Sequence, residues 1–96
     1  MGFGYSGGIY KVTEEKGLPI PKEPGQPNAR YDFYKNGVLE KSRFTDINGR
    51  PTWDIHHNDH GNSKLHPDAP HYQKWVDGVL QKEKTPVEQV PEHIRW

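Results

Sequence analysis

Residues 30–57 read RYDFYKNGVLEKSRFTDINGRPTWDIHH and contain two Asn-Gly pairs, each between runs of residues that favour β-strands. Asn-Gly is a strong short-range signal for a hairpin, because type I′ turns need positive φ at both central residues. With a two-residue loop at each pair, Tyr34 pairs with Leu39 and Phe44 pairs with Trp53. The stretch therefore predicts a three-stranded antiparallel meander.

The two hairpin registers agree in how they divide the side chains between the faces of this meander. In these registers the charged pairs are Arg30–Arg43, Asp32–Lys41, Arg43–Asp54 and Lys41–His56. The expected apolar face carries Tyr31, Phe33, Val38, Phe44, Trp53 and Ile55. The expected charged face carries Arg30, Asp32, Lys41, Arg43, Asp54 and His56. Such a face is either a solvent-exposed surface with ion pairs between its strands or a functional site.

Residues 68–83, DAPHYQKWVDGVLQKE, predict the main helix. Asp68 is a suitable N-cap and Pro70 suits the first turn. The apolar residues of one helical face are Tyr72, Trp75, Val76, Val79 and Leu80. The tail, residues 85–96, is expected to form a short helical turn that docks Ile94 and Trp96.

The predicted fold class is α+β, a three- to four-stranded antiparallel meander with one main helix packed on its apolar face. Residues 1–29 are rich in glycine and proline and are expected to be an irregular segment, with a short strand near residues 8–13. Residues 30–96 are expected to form a single α+β domain, since 96 residues suffice for one modest core.

Composition excludes several classes of function. The 13 basic and 13 acidic residues balance, so no whole-molecule field attracts nucleic acid, and phosphate binding needs a local patch. The absence of cysteine excludes thiolate metal sites and thiol nucleophiles. No apolar run is long enough to cross a bilayer and no signal peptide is recognisable. The chain is expected to be soluble, and either cytoplasmic or exported by a carrier.

Five of the six histidines lie in residues 54–71, DIHHNDHGNSKLHPDAPH. One interpretation is a site of zinc type, in which Asp54, His56, His60 and His66 converge. The second is an acid–base centre, with His71 in the first turn of the predicted helix, where anions such as phosphate bind. The third interpretation is a polar loop that is rich in imidazole and has no such function. The spacing of the histidines leaves all three interpretations open.

RNA cleavage by a 2′-hydroxyl needs a base, an acid and cations that stabilise the phosphorane, and it needs no metal. The predicted charged face would supply a histidine, two arginines and a lysine. Asp54 could orient a nearby imidazole.

Residues 30–75 resemble the small C-terminal effector modules of bacterial polymorphic toxins, some of which occur in prophage proteins. The resemblance lies in an Arg-led strand, an Arg on the next strand, the pattern D-x-N-G-x-P-x-x-D-I at residues 46–55, and a His-rich loop that ends in Pro-His. It implies a ribonuclease of the barnase–EndoU–colicin–RelE fold group, with RNA as substrate and a cognate immunity protein as partner. Carried over to this chain, the pattern points to Arg30, Arg43, Asp54, His56, His60 and His71.

The sequence thus favours a toxin-like, metal-independent ribonuclease that acts by histidine acid–base catalysis. The expected catalytic residues are His56, His71, Arg43 and Asp54, and the expected substrate-binding residues are Arg30, Lys41 and His60. Alanine at His56 or Arg43 is expected to abolish cleavage with little change in stability. The alternative is a non-enzymatic binding or structural module of a prophage or mobile element, without a cofactor or with zinc at His56, His60 and His66.

Overall fold

The computed structural model describes residues 6–57 and 70–96, and these residues form one six-stranded mixed sheet. The strands are β1 (Ile9–Val12), β2 (Arg30–Lys35), β3 (Val38–Thr45), β4 (Pro51–His56), β5 (His71–Val76) and β6 (Val79–Leu80). They are neighbours in chain order; β1 is parallel to β2, and each later pair is antiparallel. Within the described residues the helical elements are two 3-10 turns, Glu15–Gly17 and Val87–Gln89, and no helix is long and apolar enough to cross a membrane.

The main helix predicted for residues 68–83 is wrong, and so is the α+β class that depends on it. Residues 71–80 form the hairpin β5–β6, and the described part of the chain is nearly all β. Asp77 and Gly78 have φ of 51° and 77°, the positive values that a type I′ turn needs. Asp-Gly between β-branched and aromatic residues is thus a third hairpin signal, and it decides against the helix.

The first predicted hairpin has the expected turn, since Asn36 and Gly37 have φ of 53° and 78° and Tyr34 pairs with Leu39. A bulge follows, because Phe33 pairs with Lys41 and leaves Glu40 as the extra residue of β3. Beyond it, Asp32 pairs with Ser42 and Arg30 with Phe44. The predicted pairs Asp32–Lys41 and Arg30–Arg43 are therefore wrong.

The second predicted hairpin keeps its register despite a different turn. Gly49 has a φ of 77°, its N–H donates to the carbonyl of Asp46, and Asp46 N–H donates to Arg50, so the loop has three residues. A second irregularity between Phe44 and Thr45 compensates for the longer loop. The predicted pairs Phe44–Trp53, Arg43–Asp54 and Lys41–His56 are all confirmed.

Paired residues share a face of the sheet, so the registers define two faces. We call one the histidine face; it carries Tyr31, Phe33, Lys41, Arg43, Asp54, His56, His71, Gln73 and Trp75. We call the other the core face; it carries Arg30, Asp32, Ser42, Phe44, Trp53, Ile55 and Tyr72. The bulge in β3 moves Arg30 and Asp32 away from the predicted charged face, and it moves Tyr31 and Phe33 away from the predicted apolar face.

The tail closes the core face where a helix was expected. The core cluster consists of Phe44, Ile55, Tyr72, Val90 and Ile94, with Trp53 packed against it. The expected helical turn occurs at Val87–Gln89, and the expected docking of Ile94 is confirmed, whereas Trp96 remains 55% exposed.

The N-terminal segment is joined to the sheet and covers part of the histidine face. The expected short strand is confirmed as β1, which pairs with β2. Leu18 and Ala29 are buried, and the carbonyl of Pro19 accepts a hydrogen bond from Arg43. Residues 6–29 are thus part of the packing of the domain.

Candidate functional site

Two histidines and a lysine lie side by side across three strands of the histidine face. His56 of β4 pairs with Lys41 of β3 on one side and with His71 of β5 on the other. Directly opposed residues of an antiparallel pair have Cβ atoms about 4.5–5.5 Å apart. Since strands are about 4.8 Å apart, the backbones of Lys41 and His71 are separated by about 10 Å. We call Lys41, His56 and His71 the histidine row.

Lys41 is held by a carboxylate from the N-terminal segment. Its Nζ donates to Glu15 Oε2 at 2.8 Å, and the lysine side chain is 12% exposed while that of Glu15 is 66% exposed. This hydrogen bond and the ammonium charge lower the pKa of Glu15 from its usual value, and Arg43 and His56 add smaller effects in the same direction. Glu15 therefore stays ionised and keeps the amine of Lys41 beside His56.

A cavity of about 440 Å³ lies next to the histidine row. Its described lining consists of Thr13, Glu15, Phe33, Lys35, Glu40, Lys41 and His56. The volume falls within the range of small-molecule sites, roughly 300–1,000 Å³. Lys35, Lys41 and His56 in this lining are partners for an anion, whereas the carboxylates of Glu15 and Glu40 oppose the binding of a highly charged anion.

Arg43 and Asp54, both expected to be catalytic, form a buried ion pair. Arg43 Nε and Nη2 each donate to one oxygen of the Asp54 carboxylate at 2.8 Å. The indole of Trp75 donates to the same carboxylate at 2.9 Å and stacks near the guanidinium, whose central carbon is 4.8 Å from the ring centroid. Asp54 is fully buried and Arg43 is nearly so, and the ion pair therefore lies beneath the surface of the histidine face.

Arg30, expected to bind substrate, lies on the core face and belongs to a different network. Its Nη2 donates to Asp32 Oδ2 at 3.0 Å, and its guanidinium lies 4.7 Å from the centroid of Trp96. The bulge of β3 separates it from Lys41 and Arg43. The structure therefore does not bring Arg30 to the histidine row.

Ser42 connects Asp32 with His57 on the core face. Ser42 Oγ donates to Asp32 Oδ1 at 2.6 Å, a length typical of a hydroxyl bonded to a carboxylate. The hydroxyl has one proton, so His57 Nε2 must be the donor in its 2.9 Å hydrogen bond to Ser42 Oγ. Ser42 is fully buried and lies between the other two groups, so this chain is a structural network and not a nucleophilic triad.

Burial lowers the pKa of His57 to about 4, against an opposing effect of Asp32, with smaller lowering contributions from Arg30 and His56. The ring also meets Trp96 edge-on at 4.3 Å between centroids. His57 is therefore neutral at pH 7 and helps to hold Trp96 in place.

Other sequence-predicted residues are placed as follows. His71 is the first residue of β5 and not part of a helical turn; it is half-buried and its Nε2 atom is enclosed. His60 and His66 lie outside the described residues. Within residues 6–57 and 70–96, no group of three or more histidine, aspartate or glutamate side chains is arranged to hold a metal ion.

Glu15 is the residue of this site that sequence reasoning missed. It lies in the segment expected to be irregular, 26 positions before its partner Lys41 in the chain. The short strand expected near residues 8–13 was the one signal for the position of Glu15. A strand that pairs with β2 brings the residues that follow it to the histidine face.

Comparisons of the chain with protein-family models, with curated proteins and with solved structures find no match in any of the three.

Proposed function

We propose that the chain is a metal-independent ribonuclease that cleaves RNA by attack of a 2′-hydroxyl on the adjoining phosphate. The supporting observation is the histidine row, in which two imidazoles and an ammonium are neighbours on one rigid surface beside a cavity. The partners that go with this proposal are RNA as substrate and a cognate immunity protein.

The chemistry needs one proton acceptor and one proton donor on the two sides of a phosphate. One imidazole of the His56–His71 pair takes the proton of the 2′-hydroxyl as its oxygen forms the new bond to phosphorus. The other imidazole gives a proton to the 5′-oxygen as the old P–O bond breaks, which leaves a 2′,3′-cyclic phosphate. The ammonium of Lys41 stabilises the charge that develops on the phosphorane oxygens.

The proposal assigns positioning roles, not contacts with RNA, to Arg43 and Asp54. Their buried pair fixes the strands that carry Lys41 and His56. Removing one member of a buried ion pair leaves the other charge unpaired, at a cost of about 3–5 kcal/mol. Arg43→Ala is therefore expected to lower stability, contrary to the sequence-based expectation, and it is not a clean test of catalysis.

The test is cleavage of a fluorescent RNA oligonucleotide in the presence of EDTA. His56→Ala and His71→Ala are each expected to lower the rate by about 100-fold or more, because each removes one proton-transfer group. The matched control is His93→Ala, since His93 is exposed and lies in the tail. Thermal melts of all three variants report whether the fold is retained.

A substrate control separates this mechanism from other nuclease mechanisms. An oligonucleotide with a single ribose among deoxyriboses should be cut only after that ribose, because only its 2′-hydroxyl can attack. Unchanged cleavage in folded His56→Ala, or cutting at a deoxyribose, would contradict the proposal.

The second candidate function is a zinc-binding module without catalysis, favoured by the same direct pairing of His56 with His71. The imidazoles of two directly paired residues can share a divalent cation, to which further ligands must be added. Elemental analysis of the protein purified without chelator decides between the two. One zinc per chain, lost in His56→Ala, supports the module, and EDTA-resistant RNA cleavage supports the ribonuclease.

A further inference from the structure

The cavity beside the histidine row has a described lining in which the charges of the lysines and glutamates cancel. Lys35 and Lys41 are the cations, and Glu15 and Glu40 are the carboxylates. A proton on His56 then gives this lining one net positive charge. Such a lining suits a ligand with one negative charge better than a ligand with two, because a charge that loses water without gaining a partner is costly.

Glu15 is the carboxylate of this lining that acts directly on the histidine row. Its Oε2 accepts a hydrogen bond from Lys41 Nζ at 2.8 Å. The hydrogen bond and charge of Lys41 lower the pKa of Glu15 most, and the charges of Arg43 and His56 lower it further. Since Glu15 interacts with both Lys41 and His56, an anion bound between those two residues is close enough to Glu15 to be repelled by it.

The repulsion by Glu15 depends on the charge of the phosphate group. A phosphodiester inside an RNA strand carries one negative charge, whereas a phosphomonoester carries about 1.5–2 at pH 7, because its second pKa is about 6. Coulomb repulsion is proportional to the charge of the ligand, so Glu15 opposes a monoester about twice as strongly as a diester in free energy. A carboxylate at this position therefore favours a phosphate inside a strand over a terminal one.

We propose that Glu15 is a specificity-determining residue, which makes the cavity select internal phosphodiesters over terminal phosphomonoesters. The inference rests on the proposed ribonuclease function, because it concerns the phosphate that Lys41 and His56 hold in that reaction. It defines the substrate class as the interior of an RNA strand. Nucleoside monophosphates are accordingly weak competitors of RNA.

The test compares two ligands that differ by one methyl group and one charge, thymidine 3′-monophosphate and its methyl ester. Neither has a 2′-hydroxyl, so neither is cleaved. Each is titrated at pH 7 into protein with ¹³C-labelled histidine, and the imidazole signal of His56, assigned with His56→Ala, reports binding. The wild type is expected to bind the methyl ester at least as tightly as the monophosphate. Tighter binding of the monophosphate, or a His56 signal that moves with neither ligand, would overturn the inference.

A matched pair of glutamate variants assigns the selectivity to Glu15. Glu15→Gln removes the charge and should raise the affinity for the monophosphate by about 10-fold or more, and that for the methyl ester by about 3-fold. Glu14→Gln is the control, because Glu14 is equally exposed, pairs with Lys16 and lies outside the described lining. Equal rises for the two ligands in Glu15→Gln, or the same selectivity change in Glu14→Gln, would overturn the inference.

The outcomes separate this inference from the function on which it rests. RNA cleavage that needs His56, together with equal rises for the two ligands in Glu15→Gln, would overturn the role of Glu15 alone. A larger rise for the monophosphate in Glu15→Gln, without RNA cleavage by the wild type, would support charge selection by Glu15 and overturn the ribonuclease.

Discussion

His57 is subject to two opposing effects on its pKa. Burial lowers the pKa, and the negative charge of the Asp32 carboxylate raises it. Burial is the larger effect, so the folded protein holds this imidazole neutral down to a pH of about 4. At this single residue, burial on the core face, where the ring packs against Trp96, outweighs the charge of Asp32.

Stability should therefore depend on pH through His57. The ordinary pKa of 6.5 describes the unfolded chain, whereas the folded chain has a pKa of about 4. The stabilising contribution of neutral His57 is complete above pH 6.5 and is lost as the pH falls from 6.5 to 4, because the unfolded chain takes up the proton first. Partial exposure limits the loss to roughly 1–2 kcal/mol.

His57→Gln tests this dependence, since glutamine can still donate to Ser42 but does not titrate. Urea unfolding at pH 7 and pH 4.5 should show a smaller loss of stability in this variant than in the wild type. His93→Gln, a change at an exposed histidine, should retain the wild-type difference. A wild-type difference retained by His57→Gln would contradict the assignment.

Three glycine-containing turns set the lengths of the hairpins at the scale of elements. Gly37, Gly49 and Gly78 have φ of 78°, 77° and 77°, values that side chains rarely adopt. The turn at Gly49 differs from the other two because it also contacts the N-terminal segment. Gly25 N–H donates to the carbonyl of Gly49 at 2.9 Å, and a Cβ at residue 49 would overlap the carbonyl of Gly25.

Alanine at Gly49 should therefore cost more stability than alanine at Gly37. Gly37 has the same φ, and nothing lies within 4 Å of a Cβ built on it, so Gly37→Ala measures backbone strain alone, about 1–2 kcal/mol. Gly49→Ala adds the clash with Gly25 and the loss of that hydrogen bond, about 1–3 kcal/mol more. Chemical denaturation measures the free energy of unfolding of both variants. Equal losses of stability would show that residues 18–27 do not stabilise the turn.

At the scale of the whole molecule, the described residues form one sheet whose two faces are covered by irregular chain. Residues 15–25 lie over part of the histidine face through Glu15, Pro19 and Gly25. Residues 87–96 cover the core face, where Val90 and Ile94 are each 2% exposed. Within residues 6–57 and 70–96 no α-helix packs on the sheet, so its buried apolar area depends on these two segments.

Ile94→Ala should therefore destabilise the protein as a core substitution does, by about 2–5 kcal/mol. The matched control is Ile47→Ala, because Ile47 is 74% exposed in the turn between β3 and β4, and its replacement should change stability by about 0.5 kcal/mol or less. Thermal melts followed by near-ultraviolet circular dichroism report both. Similar melting temperatures would show that the tail does not close the core face.

Local chemistry was enough to predict the meander and part of the site. The Asn36-Gly37 and Asn48-Gly49 turns act over four or five residues, so two hairpins and the neighbouring positions of Lys41, Arg43, Asp54 and His56 follow from residues 30–57 alone. The third turn, at Asp77-Gly78, was equally readable. The apolar residues of this stretch also have helical spacing, and a short apolar run fits the period of a helix as well as that of a strand. The helix was therefore predicted instead of the hairpin.

Contacts between distant parts of the chain decided the rest. The bulge at Glu40 is accompanied by a hydrogen bond from His57 N–H to its carbonyl, and it moved Arg30 and Asp32 to the core face. The strand β5 brought His71 beside His56, and Pro19 covered the Arg43–Asp54 pair. Turn chemistry is local, and it was therefore enough to predict the hairpins. Side-chain burial and strand partners depend on residues far apart in sequence, so tertiary packing alone decided which charged groups remained accessible.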